Sequence, residues 1–136
     1  MWSHYADSHR GICLEFEVTN GKLFGCDLSK VIYQETYPKL TVCDEINFEF
    51  VKRYMTTKSF DWSHEKEWRI IYNKGTGRQI YPADALTGVI LGARISKIKK
   101  NRIEEWIFNS NCKVQLYQAL EYTDRFGLQI IPVKSF

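Results

Sequence analysis

Apolar positions along the chain recur with a period of two over several short stretches and with a helical period over two longer ones. Ile12, Leu14, Phe16 and Val18 alternate with Cys13, Glu15 and Glu17, which predicts a strand with the apolar set on one face and the others on the opposite face. Asn20-Gly21 follows, a strong signal for a two-residue hairpin turn, so residues 22–26 are expected to return as a short strand. Another strand is expected over residues 30–34, ended by Pro38. From Asp44 to about Thr56, the residues Ile46, Phe50, Val51, Tyr54 and Met55 form a helical stripe behind a capping aspartate. Residues 58–63 read as a loop. Trp68, Ile70 and Tyr72 then alternate with Glu67, Arg69 and Ile71, which predicts a central strand with its apolar set turned to the core. A turn over residues 74–77 should close it, with residues 78–81 pairing back as a hairpin partner.

Further along, residues 82–85 suggest a short helical turn, and Leu86–Leu91 is apolar almost throughout, as expected of an interior strand. Ser96 is placed to cap a second helix running to about Asn109, with Ile98, Ile103, Trp106 and Ile107 inward. Two strands are expected to finish the chain, over residues 113–121 and 128–133, with Cys112 at the start of the first. At the other end, Trp2, Tyr5 and Ala6 stand at helical spacing before a turn at Gly11. Strands dominate and do not alternate regularly with helices. The expected class is α+β: a single domain over residues 1–136, with a mostly antiparallel sheet of about six to eight strands and two main helices.

Composition narrows this little. The chain has 136 residues, 15% of them aromatic, which suits one packed domain. A net charge of +3 permits contact with nucleic acid without arguing for it. No apolar run approaches membrane-spanning length and Met1–His4 does not open a signal peptide, so a soluble cytoplasmic protein with no membrane partner is expected. The four cysteines are widely spaced and read as reduced core residues. His4 and His9 lie five apart, without the spacing of helical ligands, and no metal site is expected.

Charge and aromatic residues concentrate at Trp62–Tyr72. On a strand, Glu65 and Glu67 would share a face and could reach one ligand. Carboxylates so placed can stabilise an oxocarbenium-like transition state at a sugar's anomeric centre. Arg69, two positions on, should keep Glu67 ionised and so suited to charge stabilisation. The alternative is an exposed charge ladder across strands. Ser8-His9-Arg10-Gly11 could hold an anion through backbone amides and Arg10, or could be a turn that needs Gly11 for its backbone angles. Lys97, Lys99, Lys100 and Arg102 crowd the start of the second helix, where cations oppose the helix dipole. They fit either an anionic partner such as nucleic acid or a solvated face.

Two stretches together resemble a widespread bacterial family, domain-of-unknown-function family 2971. One runs from Met1-Trp2-Ser3-His4-Tyr5-Ala6-Asp7 through Gly11-Ile12-Cys13-Leu14-Glu15-Phe16. The other runs from Trp62 through Glu65-Lys66-Glu67-Trp68-Arg69-Ile70 and is followed by Gly88-Val89-Ile90-Leu91-Gly92. Trp2, Tyr5, Gly11, Phe16, Glu65, Glu67, Arg69 and Gly92 fall where that family's pattern places them. Members are usually longer at the N-terminus, which implies either a shortened member or part of a larger gene product. A more distant resemblance is to the C-terminal half of ADP-ribosyltransferase-type domains. It implies NAD as substrate, Glu67 at the nicotinamide ribose as the glycosidic bond breaks, Glu65 as its partner, and His4 and Tyr5 on the nicotinamide side. The ligand-anchoring first strand of that fold has no clear match here. Under this reading Glu65, Glu67 and Arg69 form the catalytic set, and His4, Tyr5, His9, Arg10 and Trp62 the ligand-binding set. A non-enzymatic protein-interaction module, homodimeric in one version, and a nucleic-acid-associated protein are the alternatives.

Overall fold

The computed structural model describes residues 2–39, 47–72, 77–78, 80–110 and 113–133. Within them the chain runs α1 (Trp2–Tyr5), β1 (Ile12–Phe16), β2 (Lys22–Leu23), β3 (Cys26–Lys30), β4 (Ile32–Gln34), α2 (Phe48–Met55) and β5 (Thr57–Ser59). A 3-10 helix (Phe60–Glu65), β6 (Trp68–Ile70), a 3-10 turn (Ala83–Ala85), β7 (Leu86–Leu91), α3 (Lys97–Asn109), β8 (Gln115–Glu121) and β9 (Leu128–Pro132) follow. This is an α+β fold, as the sequence pattern predicts. The expected cap at Asp44, the inward Ile46, the turn at residues 74–76, Gln79 and Cys112 lie outside the described residues. The chain divides into two compact units, Met1–Glu17 with Ile80–Phe136, and Val18–Gln79.

The first unit is built on a four-stranded sheet of order β1-β7-β8-β9. β7 is apolar because it has a strand on either side, and Val89 and Leu91 are wholly buried while Leu86 is 4% exposed. It pairs antiparallel with β1, placing Leu14 opposite Val89 and Ile12 opposite Leu91, and parallel with β8. Parallel neighbours need a crossover, and α3 supplies it. Ser96 caps α3 as expected, its hydroxyl accepting from the Lys99 amide at 3.3 Å. Ile103 and Ile107 are half-buried, but Ile98 is 77% and Trp106 53% exposed, against the expectation that all four turn inward. At 3.6 residues per turn Ile98 lies about 140° around the helix from Ile103, so one packed face cannot take both. β8 and β9 close the sheet antiparallel, near the positions expected.

α1 ends in a turn of unusual hand. Asp7, Ser8 and His9 all take left-handed backbone angles, with φ of 49°, 51° and 68°. The Gly11 amide donates to the Ala6 carbonyl at 2.8 Å and the Arg10 amide to the Asp7 carbonyl at 3.0 Å, closing the turn. The sequence reading put the conformational demand on Gly11; it falls instead on the three residues before it. A Cβ at Gly11 would sit 3.1 Å from the Ala6 carbonyl oxygen, a tight contact that glycine avoids. The residues after β7 clamp the turn from outside: the Gly92 amide donates to Gly11 O at 3.0 Å and the Arg94 amide to His9 O at 2.9 Å. A side chain at Gly92 would run into the His9 carbonyl.

The second unit holds a three-stranded sheet of order β2-β3-β6 and a parallel pair, β4 with β5. The turn at Asn20-Gly21 forms, both residues with positive φ, but it joins only an isolated Thr19–Lys22 bridge: β1 pairs with β7, and the two-residue β2 pairs instead with β3 across a second turn at Phe24-Gly25. α2 is capped by Asn47, whose side-chain oxygen accepts from the Phe50 amide at 2.9 Å. The expected hairpin partner of β6 does not form: Arg78, Ile80 and Tyr81 are not in a strand. β6 pairs antiparallel with β3, Ser29 opposite Arg69. Tyr81 packs edge-on against Phe16, their ring centroids 5.4 Å apart, which commits it to the first unit. Trp68 is 56% exposed, so the apolar set of β6 does not all face a core as the alternation suggested. The buried residues of this unit are Val31, Pro38, Thr56 and a carboxylate, Glu65, among those described.

Candidate functional site

The carboxylates of Glu65 and Glu67 do meet, by a different route from shared strand geometry. Glu65 is the last residue of the 3-10 helix, and Lys66 turns left-handed at φ 50°, ψ 45°. That reversal sets Glu67 just ahead of β6. The Glu67 backbone is fixed on both sides: its amide donates to Tyr33 Oη at 2.8 Å, and its carbonyl accepts from the Val31 amide at 3.0 Å. With its main chain pinned to β4 and the residue before it, Glu67 directs its side chain to a set position.

Two cations organise the acids. Arg69 grips Glu67 as a fork, Nε to Oε1 at 2.6 Å and Nη2 to Oε2 at 3.1 Å, while its Nη1 donates to the Met55 carbonyl. Lys58, in the middle of β5 and paired in register with Tyr33, donates from Nζ to Glu65 Oε2 at 2.5 Å and to Glu67 Oε2 at 3.0 Å. The same Nζ lies 4.9 Å from the centroid of the Trp62 ring, a cation–π contact, and Trp62 stacks on His64 at 6.1 Å. Burial is uneven: the side chain of Glu65 is 3% exposed, that of Lys58 17% and that of Glu67 28%.

This arrangement sets the ionisation states. The Arg69 fork is the main cause that holds the Glu67 carboxyl below the ordinary carboxylate value; burial opposes it and the Lys58 ammonium adds to it. Lys58 is pushed above the ordinary lysine value, chiefly by its hydrogen bond to Glu65. Arg69 therefore acts on Glu67 as its position in the sequence suggests. An exposed charge ladder does not describe Glu65, which is buried. Such a cluster offers, in Glu67, an ionised and oriented carboxylate for holding positive charge.

Beside it, a small open depression is lined by residues 34–37 together with Thr57, Lys58 and Ser59. Lys58 thus belongs to both features. Neither Lys58 nor Tyr33 stands out in the sequence: the lysine lies where a loop was expected, and the tyrosine in an unremarkable three-residue strand.

The other candidate residues, His4, Tyr5, His9 and Arg10, belong to the first unit, around the left-handed turn. His4 and Tyr5 are exposed, Tyr5 to 68%. His9 stacks on Trp2 with centroids 6.3 Å apart, and Arg10 pairs with Asp7 at 3.8 Å. Among the described residues, no group of three or more histidines, cysteines and acids is placed to hold a metal ion, and no helix is long and apolar enough to cross a membrane.

No curated protein and no solved structure matches the chain. The family model described as a protein of unknown function (DUF2971) matches residues 1–70, which include α1, the left-handed turn and the whole Lys58–Arg69 cluster. Since that match spans half of its length, the chain belongs to the DUF2971 family of proteins of unknown function.

Proposed function

We propose that the Glu65–Glu67–Arg69 cluster is an NAD-dependent site of ADP-ribosyltransferase-like or glycohydrolase-like chemistry. Cleavage of a bond from an anomeric carbon to a cationic leaving group builds positive charge on the ribose. The observation that carries the reading is the state of Glu67. Its carboxylate is held ionised by the Arg69 fork, its main chain is fixed by Tyr33 and Val31, and its side chain keeps 28% exposure. A carboxylate oriented before the reaction stabilises developing positive charge without reorganising. Glu65, joined to it through Lys58, would be its partner, and Trp62 would offer a flat apolar surface to a ring. Thermal-shift titration with NAD, ADP-ribose and nicotinamide tests this. A shift with NAD that is lost in Glu67→Gln supports it; no shift with any of the three refutes it.

A second reading, a protein-interaction module acting as a homodimer or with another protein, is favoured by a different observation. Phe126 is fully exposed, and Ile80 (94%) and Phe108 (83%) nearly so. Light scattering coupled to size-exclusion chromatography checks the homodimeric version: a monomer at all concentrations removes it. A stable interface would bury more than about 1,000 Å².

A further inference from the structure

We infer that the outward face of α3 is a binding surface for single-stranded nucleic acid, with Lys97, Lys99 and Arg102 meeting phosphates and Trp106 stacking on a base. The inference goes beyond the NAD reading and does not depend on it, since α3 belongs to the first unit and the Lys58–Arg69 cluster to the second. α3 is half-buried at Ile103 and Ile107. At about 100° per residue, Ile98, Arg102, Trp106 and Lys99 follow one another within about 100° of helix surface, beside that seam. All four are exposed, Ile98 to 77% and Trp106 to 53%.

Two observations fix the chemistry of the partner. The first is charge. Residues 94–102 hold Arg94, Lys97, Lys99, Lys100 and Arg102 and no acid. Arg94 pairs with Glu121 at 3.0 Å and Lys100 with Glu104 at 3.9 Å, whereas Lys97, Lys99 and Arg102 have no acidic partner among the described residues. These three stand in the first two turns of α3, where the helix dipole disfavours a cation. A polyanion laid along them offsets both their mutual repulsion and the dipole. The second is the indole. Trp106 stands one turn beyond Arg102, about 6 Å further along the axis, so a strand with a phosphate on Arg102 can set a neighbouring base on the ring. Cations for the backbone beside an aromatic face for a base are the two elements of single-strand recognition. An acidic peptide would satisfy the cations alone. An anionic bilayer fits less well: Asn101, Glu105 and Asn109 are exposed around Ile98, and Phe108 lies about 160° around the helix from Trp106, so the apolar residues do not form one strip.

The test is fluorescence anisotropy of the whole chain with a labelled oligothymidylate of about 12 nucleotides, within the range of single-strand site sizes. Three neutralised phosphates predict that log K falls with log salt at a slope of about −2, from about −0.7 for each. Lys99→Gln combined with Arg102→Gln should flatten that slope by about 1.4. Trp106→Ala should weaken binding about tenfold and leave the slope unchanged, because a stacked base is lost and no phosphate contact. An abasic strand of the same length should bind the wild-type chain about tenfold more weakly, and Trp106→Ala as tightly as oligothymidylate does. In the wild-type chain, the oligonucleotide should slow acetylation of Lys97 and Lys99 by acetic anhydride, read by mass spectrometry, and leave that of Lys22 in the second unit unchanged; this arm decides the matter if a variant does not fold. No binding at low salt, an unchanged slope in the double variant, equal wild-type affinity for the abasic strand, displacement by polyglutamate at equal charge, or unprotected Lys97 and Lys99 each overturns the inference. NAD binding is read separately, so failure of one proposal leaves the other standing.

Discussion

Lys58→Met is the most informative change to stability. The methionine keeps the bulk and apolar stem of the lysine and deletes its charge, leaving the Glu65 carboxylate, 3% exposed, without the ammonium 2.5 Å away. Removing one partner of a buried ion pair costs about 3–5 kcal/mol, because the other charge stays desolvated. Two facts place this case near the lower end. Lys58 is itself 17% exposed, so water can approach the gap, and Glu67, its second partner, keeps the Arg69 fork. The expected loss is about 3 kcal/mol in urea unfolding followed by circular dichroism. Arg94→Met is the control. Its pair with Glu121 is 59% and 49% exposed, and its loss should cost no more than about 1 kcal/mol. Combining Lys58→Met with Glu65→Gln removes the stranded charge, so the double variant should be less destabilised than the sum of the singles by about 2 kcal/mol. A cost below about 1 kcal/mol for Lys58→Met, or additivity in the cycle, would refute the reasoning that Lys58 offsets the buried charge of Glu65.

Other outcomes follow from the same geometry. Glu67 is depressed from its ordinary value of 4.5, so its stabilising contribution is present above that pH and is lost as pH falls through the folded value; urea unfolding at a series of acid pH values should show this, and Arg69→Met should remove most of the slope. Lys58 is raised from 10.5, so its contribution is complete below that pH and fades only as pH rises through the higher folded value. Gly92→Ala would press a Cβ into the His9 carbonyl and to 2.7 Å from Gly11 O; a loss of more than about 2 kcal/mol is expected, against about 1 kcal/mol for Gly25→Ala, where φ is +75° but space is open. Leu91→Ala empties a wholly buried position in β7 and should cost about 3 kcal/mol in the same assay.

What could be read from the sequence was what each residue says about its own neighbours. β1 was legible because Ile12, Leu14 and Phe16 alternate, β7 because six nearly continuous apolar residues fit only an interior strand, and the start of α3 because Ser96 precedes it. The α+β class followed from those patterns. Pairing was not local. β6 took β3 rather than the residues just after it, and nothing in Trp68–Ile70 names Cys26–Lys30 as its neighbour. At the candidate site, Glu65, Glu67 and Arg69 were visible as a dense charged stretch, and the effect of Arg69 on Glu67 followed from their spacing. The mode of assembly was not. Glu65 ends a 3-10 helix rather than entering a strand, a left-handed Lys66 brings the acids together, and the lysine joining them comes from a stretch that reads as loop.

The place of β1 in the sheet bears on how the chain reaches its native state. Its partner strand β7 lies far along the chain: Glu15 and Thr87, hydrogen-bonded through their side chains at 2.9 Å, are 72 positions apart. All of the second unit is encoded in that interval. The entropy lost in closing a loop grows only slowly with its length, but it is lost before β1 gains any contact with β7. In contrast, the β8–β9 pairing and the β2–β3 hairpin through Phe24-Gly25 close over short spans and can form early. On a ribosome, residues 18–79 emerge as one uninterrupted segment while β1 has no sheet to join. Pairing of β1 to β7 should therefore be a late, slow event, and a chain stalled before residue 86 would leave the alternating apolar edge of β1 uncovered.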